Sequence, residues 1–351
     1  MKCLSKKHKI WLTRHAKKSN SRRLRKTRRN NQNVLLGQNE ARPRGYNLII
    51  PAPKILCLTE NFDEFIYFLN KAWRNAANTS RRLFVDFRTI QYVSSDAALL
   101  LAATLDMWQR STNMRLTTYY SRKWAPAVTN VFAELGLFEL LKTNNPPKSR
   151  RVRNPNGFQI LELRSGIGSD GSLADTLADS MANIAGPIVG RQTLYVGLTE
   201  AMTNVAQHAY PNSGDDGARP DYNRWWMTGS YDPANKRMKV LILDRGAGIP
   251  NTLPHSSVWE RVAALLAKLT NSNDADMIEA AVEVGRSSTR QTYRGQGLDD
   301  IRQFVESSPG GRLRILSGRG EVTYHQGKAL PVKITHREPM PGTLIEWEIS
   351  R

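Results

Sequence analysis

A block of proline, asparagine and charge, NNPPKSRRVRNPN at 144–156, cuts the apolar part of this chain into two stretches. Proline breaks helices and strands, and cations crowded between the prolines cannot enter a core, so no single regular element crosses the block. The expectation is one α/β unit over 46–147 and a second over 148–351. A further break lies upstream. Residues 1–45 hold 15 of the 51 Lys and Arg residues against one acid, Glu40, for a net +14, whereas the other 306 residues carry +6. Like charges at that density repel, and KKHKIWLTRHAKKSNSRRLRKTRRNNQN offers only Trp11 and a few aliphatics to a core. A disordered basic tail is expected over 1–45. No apolar run reaches the roughly 18 residues of a membrane helix. The N-terminus lacks the apolar stretch and cleavage site of a secretory signal. Two cysteines, Cys3 and Cys57, make neither a disulfide framework nor a four-ligand zinc site. These absences point to a cytoplasmic protein without membrane contact.

In the first stretch, RLFVDF (Arg82–Phe87) reads as a buried strand, followed by a helix in SSDAALLLAATLDMWQR. RLTTYY (Arg115–Tyr120) reads as another strand, and PAVTNVFAELGL as a helix closing near Gly136. In the second stretch, LADTLADSMANIAG and GRQTLYVGLTEAMTNVAQHAY have helical periodicity, the latter with Leu194, Leu198, Ala201, Met202, Val205 and Ala209 on one face. RWWMTGSY, RMKVLILD, GRLRILSG and TLIEWEIS read as strands, with two or three short helices over IPNTLP…AAVEVG and another in LDDIRQFVESS. That order fits a sheet covered by helices on one side.

There is no Walker A sequence, no HExxH, no Cys/His cluster and no Gly-x-Ser-x-Gly elbow. Four other elements carry the chemistry. On the long helix, Glu200, Asn204 and His208 are spaced i, i+4, i+8 and form one polar stripe. A carboxylate and an amide one turn apart suit a water and a magnesium ion, which takes oxygen ligands. DRGAGIP places Asp244 at a strand end, before Gly246 and Gly248. A fixed carboxylate accepts from an exocyclic amine, and glycines let the backbone approach a flat ligand. In RGQGLDDI, Gly295 and Gly297 precede a helix whose N-terminus suits phosphates, with Arg294 adding charge. In PGTLIEWEI, Thr343 starts the last strand after a Pro-Gly turn. Each element alone reads equally well as a polar helix face, a glycine turn, a helix start or a turn into a strand.

Their order is more telling. Together the four elements resemble the gyrase, heat-shock chaperone, histidine kinase and MutL ATPase superfamily, over about Leu173 to Ser350. LTEAMTNVAQHAYPN is similar to the N box of its anti-sigma-factor serine kinase branch. The resemblance implies a Bergerat-type α/β sandwich binding ATP with Mg2+, with a lid between the second and third boxes. It implies Glu200 as general base, Asn204 as magnesium ligand and Asp244 as adenine reader. Gly246 and Gly248 would line the nucleotide, Gly295 and Gly297 the phosphates, and Thr343 the adenine side. Arg294 and His208 join the ATP-binding set. No phosphoacceptor-histidine helix precedes these boxes and no transducer domain follows Thr343, which argues against a sensor kinase or a topoisomerase.

The first stretch has its own resemblance. LFVDFRTIQYVSSDAALLLAATLDM and VFAELGLFELL are similar to STAS domains, the anti-sigma-factor antagonists. In that family a serine at a helix N-terminus is phosphorylated by a partner kinase, and the aligned acceptor here is Ser95, with Ser94 beside it. The same residues also read as a plain cap, with Ser94 or Asp96 closing the helix start. The combined expectation is an ATP-binding regulator with a fused STAS-like partner. Slow hydrolysis, serine phosphorylation and binding alone all remain open. So do a protein partner for the STAS-like part and a monomer or dimer.

The tail carries a different reading, a nucleic-acid- or ribonucleoprotein-associated effector in which the ATP site is a switch. Its cations, Arg22, Arg23, Arg25, Lys26, Arg28 and Arg29 above all, are expected to meet phosphates. Filter binding at low salt is expected to show nucleic acid retained by the full chain, with affinity falling steeply towards physiological salt. A chain starting at Tyr46 loses that retention; equal retention by both removes the tail from the mechanism.

Overall fold

Alternation of side chains builds the main sheet. The computed structural model describes residues 48–78, 83–112, 116, 118–143, 146–147, 157–211, 223–269, 271–288, 302, 304–306 and 308–350. The tail, with Arg22 to Arg29, and the third box, with Arg294, Gly295 and Gly297, lie outside the described residues. Strands β7 (Arg224–Asp232) and β8 (Arg237–Asp244) form a hairpin in which Asp232 faces Arg237 and Trp225 faces Asp244. The Asp232 carboxylate accepts from the Ala234 and Asn235 amides and fixes the turn. Strand β10 (Val332–Ser350) lies on the other side of β8, and β9 (Arg312–His325) lies beyond β10. Two short strands, β5 (Gln159–Ile160) and β6 (Arg164–Ile167), pair with the far side of β7. All of these pairings are antiparallel.

One face of this sheet is apolar through Trp225, Met227, Val240, Ile242, Ile345 and Trp347. It is covered by helices α5 (Gly171–Ala185) and α6 (Arg191–Asn204), through Leu177, Met181, Leu194 and Leu198. Asp170 caps α5, its carboxylate accepting from the Ser172 and Leu173 amides.

The opposite face is covered too, which corrects the one-sided sheet expected from sequence. It carries Trp226, Leu241, Leu243, Leu316 and Leu344, all buried. Burying each such side chain is worth roughly 1.5–3 kcal/mol, so the face cannot stay bare. Its cover is the first stretch. There β1 (Leu48–Pro51) pairs with β3 (Leu83–Asp86), and β2 (Ile55–Leu56) with β4 (Tyr92–Val93), both in parallel. Around them lie α1 (Phe62–Asn78), α2 (Ser95–Thr112), α3 (Pro126–Glu134) and α4 (Leu137–Leu140). The Leu99–Ala103 run of α2 shares one core with Trp226 and Leu241, and Trp226 Nε1 donates to Asp106 Oδ2 at 2.9 Å. Leu163 N donates to Leu135 O at 3.0 Å, and Ile160 N to the Glu134 carboxylate at 3.2 Å. Leu48–Arg351 makes one compact unit. Among the described residues, no helix is long and apolar enough to cross a membrane.

Two elements differ from the sequence expectation. The described residues of Arg115–Tyr120 form no strand: Tyr120 turns left-handed at φ 48° into a 3-10 turn, Ser121–Lys123. The tyrosines there are held by ring contacts, Tyr119 on Phe84 and on Tyr120, rather than by a ladder. The last strand, expected from Thr343, begins at Val332 instead. Its pairing with β9 shifts between Thr335 and Thr343, where Pro339 and Pro341 offer no amide to a ladder.

Strand β9 bends sharply on itself. Residues seven apart in a straight strand lie ~23 Å apart, yet Arg314 Nε donates to Glu321 Oε1 at 2.8 Å. The bend falls at Gly318–Gly320. A Cβ on Gly320 would sit 2.5 Å from the Ala275 amide nitrogen, so only glycine fits there.

The bend seats a fully buried arginine between the two stretches. Arg314 is 1% exposed and makes five hydrogen bonds. Two go to Glu321, at 2.8 and 3.0 Å. The other three go to the first stretch: Asp96 Oδ2 at 3.1 Å, Thr59 Oγ1 at 3.2 Å and Leu58 O at 2.6 Å. Burial pushes the Glu321 carboxyl up, but hydrogen bonds from His336 and Arg314 outweigh it and hold the group at about 2. Asp96 is likewise raised by burial and lowered further by the Lys239 and Arg314 charges, for a net depression. The same boundary carries Phe62 stacked on His336 at 3.7 Å, and Asp63 accepting from the Arg337 and Glu338 amides.

Removing one partner of a buried ion pair typically costs about 3–5 kcal/mol. Arg314→Met is therefore expected to lower unfolding free energy by about that amount in denaturant titration. Asp96→Asn should cost less in that background than alone, because the lost contact is shared.

Candidate functional site

Strand register lines four residues across one end of the sheet, on the face that carries α5 and α6. Trp225 faces Asp244, Asp244 faces Thr343, and Thr343 faces Ser317. Trp225 is buried, its Nε1 donating to Gly168 O at 2.7 Å. Ser317 ties three segments together. Its hydroxyl accepts from Ile249 N at 2.8 Å, donates to Gly342 O at 3.0 Å and lies 3.1 Å from Thr343 Oγ1. The turn after Asp244 and the late Gly-Thr thus share one anchor, which sequence reading placed only in a strand.

Asp244 is 6% exposed. Its Oδ1 accepts from Gly246 N at 2.8 Å, and the amide and hydroxyl of Thr343 also favour the carboxylate. Burial nevertheless dominates and raises its pKa to about 6. The neighbouring Arg245 charge is the smallest of the opposing effects. A buried carboxylate held by neutral donors, without an ion-pair partner among the described residues, is arranged to accept from something else.

Helix α6 meets this turn at its end. Past Asn204 the chain winds through one π turn, Val205–Ala209. Such wide turns cluster at functional sites. Here the turn delivers Ala209 O to the Asp244 loop, where it accepts from Ala247 N at 2.8 Å. A Cβ on Gly246 would sit 2.2 Å from that carbonyl, which explains the glycine. Tyr210 completes the join: its hydroxyl donates to Arg224 O at 2.8 Å and accepts from Arg245 N at 3.1 Å. Burial pushes its phenol well above the ordinary range. Sequence reading gave Tyr210 no separate role, although it closes the quoted His-Ala-Tyr.

The π turn also breaks the expected i, i+4, i+8 stripe. Glu200 and Asn204 remain one regular helical turn apart and half-buried, but His208 lies inside the π turn and is exposed. Asn204 has a terminal amide atom, Nδ2, buried with no hydrogen-bond partner among the described residues. Gly248 takes φ 83° and leads into α7 (Ile249–Thr252). Next come α8 (Trp259–Leu266) and α9 (Asp274–Ser288), around a small core of Leu253, Val262, Ala280, Ala281 and Val284. Asn273 caps α9 through the Ala275 and Asp276 amides, and Asp274 accepts from Arg319 N at 2.7 Å. The stretch after the second box is thereby pinned to the bend of β9.

Ser94 and Ser95 lie elsewhere. Ser95 opens α2 and is 3% exposed. Ser94 Oγ donates to Leu56 O at 3.2 Å and to the Asp96 carboxylate. Asp96 pairs with Arg314, which points to the sheet face opposite Ser317 and Asp244. The sheet therefore separates these serines from the Asp244 row. Among the described residues, no three His, Cys, Asp or Glu side chains converge as a protein-only metal site. No protein-family model matches the chain, and no curated protein matches it.

The raised Asp244 pKa makes a signed prediction. A folded value of about 6 against 3.8 unfolded means that the protein loses stability as pH rises from about 4 to about 6. Those two units or so correspond to about 3 kcal/mol. Asp244→Asn lacks this titration. It is expected to be more stable than wild type at neutral pH, with the difference vanishing near pH 4 in unfolding titrations.

Proposed function

We propose that residues 148–351 bind ATP with Mg2+ at the end of the sheet marked by Asp244, and that the first stretch is a built-in regulatory partner. The observation that carries this reading is the buried Asp244 carboxylate, set beside Thr343 and against the end of the helix bearing Glu200 and Asn204. The order of the four boxes, with its resemblance to the histidine-kinase-like ATPases, supports it. In this reading Asp244 accepts from the exocyclic amine of adenine, with Thr343 on the same side. Gly246 and Gly248 let the backbone approach the base. Arg294, Gly295 and Gly297 hold phosphate oxygens.

The buried Nδ2 of Asn204, without a hydrogen-bond partner among the described residues, fits a ligand-binding role, and in this reading the amide oxygen beside it takes Mg2+. The ion would supply charge neutralisation at the phosphates. In this reading Glu200, one turn earlier, takes a proton from an attacking water or orients it. The STAS-like reading of the first stretch rests on its motif. Since Ser95 is buried behind the sheet, that stretch acts in this reading through its packed interface rather than as a phosphoacceptor for the attached site. The +14 tail favours a second role in the same protein, contact with nucleic acid or a ribonucleoprotein.

Calorimetry tests the reading. Wild type is expected to bind Mg·ATP, and Asp244→Asn to lose at least about tenfold in affinity. Asn204→Ala weakens Mg·ATP more than ATP without metal. Glu200→Ala keeps binding and loses any turnover the wild type shows. Equal ATP affinity in wild type and Asp244→Asn overturns the site.

A further inference from the structure

Arg245, between Asp244 and Gly246 in the turn, is half-buried and built unlike the fully buried Arg314. Arg314 satisfies its guanidinium with five hydrogen bonds. The Arg245 guanidinium has Nε and Nη1 sealed from solvent with no hydrogen-bond partner among the described residues. Its backbone is fixed, because its amide donates to Tyr210 Oη at 3.1 Å. The adjacent Asp244 does not take the charge, being turned to the Gly246 amide and to Thr343. Burial of these groups pushes the Arg245 pKa down to about 10, outweighing the upward pull of Tyr210 and Asp244.

A desolvated guanidinium lacking acceptors is unfavourable on its own and becomes favourable when an anion arrives. Its planar fork matches the oxygens of a phosphate. A second unsatisfied donor, Asn204 Nδ2, lies five residues before Ala209, whose carbonyl accepts from Ala247 N, two residues after Arg245. We infer that Arg245 is a ligand-binding residue that contacts a phosphate of the bound nucleotide. This rests on the nucleotide reading above and adds to it a charge supplied from the adenine-reading turn itself. The base and a phosphate are then read by consecutive residues, Asp244 and Arg245.

The competing arrangement is internal, with an acid of this chain taking the guanidinium. Calorimetry on full-length protein separates the two. Adenosine, Mg·ADP and Mg·ATP are titrated into wild type, Arg245→Gln and Arg245→Lys, and each nucleotide-free protein is unfolded in denaturant. The inference expects adenosine affinity to be unchanged in Arg245→Gln. Mg·ATP affinity drops about tenfold or more, the usual scale of a charge-assisted contact. Arg245→Lys recovers part of it, and the nucleotide-free midpoint stays level or rises. Equal losses for adenosine and Mg·ATP, unchanged Mg·ATP affinity, or a clearly lower nucleotide-free midpoint each overturn it. Should wild type bind none of the three ligands, the nucleotide reading itself fails and takes the inference with it.

Discussion

A buried guanidinium needs five acceptors in fixed directions, and Arg314 finds them in three separate parts of the chain. Glu321 reaches it only because β9 bends at Gly318–Gly320. Asp96, Leu58 and Thr59 reach it only because the first stretch lies on the sheet. Neither arrangement tolerates loss of the other, since an incomplete set would leave buried charge uncompensated. Such clusters contribute less net stability than apolar packing of the same volume. Their effect is to select one arrangement, and here it is reinforced by Leu316 and Leu344 beside the arginine and by Asp63 and Phe62 at the hairpin bulge.

The same strand serves both faces. Arg314 points to the first stretch, and Ser317, three residues on, holds Gly342 and Ile249 at the Asp244 row. The row and the interface between the stretches are thus separated by one strand thickness. A change at either face would have to pass through a strand bent around the start of α9, which Asp274 ties to Arg319. This gives the proposed ATP site a direct mechanical route to the first stretch. It also accounts for the placement of Ser94 and Asp96, which form part of the lock.

Sequence made parts of this legible where the signal is local. The apolar, β-favouring runs RWWMTGSY and RMKVLILD mark both strands, and the helix α2 opens within the SSDAALLL motif as its sequence suggests. The sharing of the second sheet face was less visible, because Leu241, Leu243 and Leu344 extend apolar runs that also suit a one-sided sheet. Arg314 could not be assigned from sequence, since its partners Asp96 and Leu58 are 218 and 256 residues away. The π turn after Asn204 also escaped, as nothing in VAQHA departs from a regular helix. Its consequence, the displacement of His208 from the stripe, depends on the Ala209 contact with the Asp244 turn. The described residues of RLTTYY form no strand for a related reason: Tyr119 is taken up by a ring contact with Phe84.

The central claim is that the two stretches fold as one body around Arg314. Its most direct test is to place a specific protease site within 148–156 and cut the folded protein there. The account predicts that the fragments stay together in gel filtration and unfold in one transition. Fragments that separate as two folded pieces, each with its own transition, would contradict it.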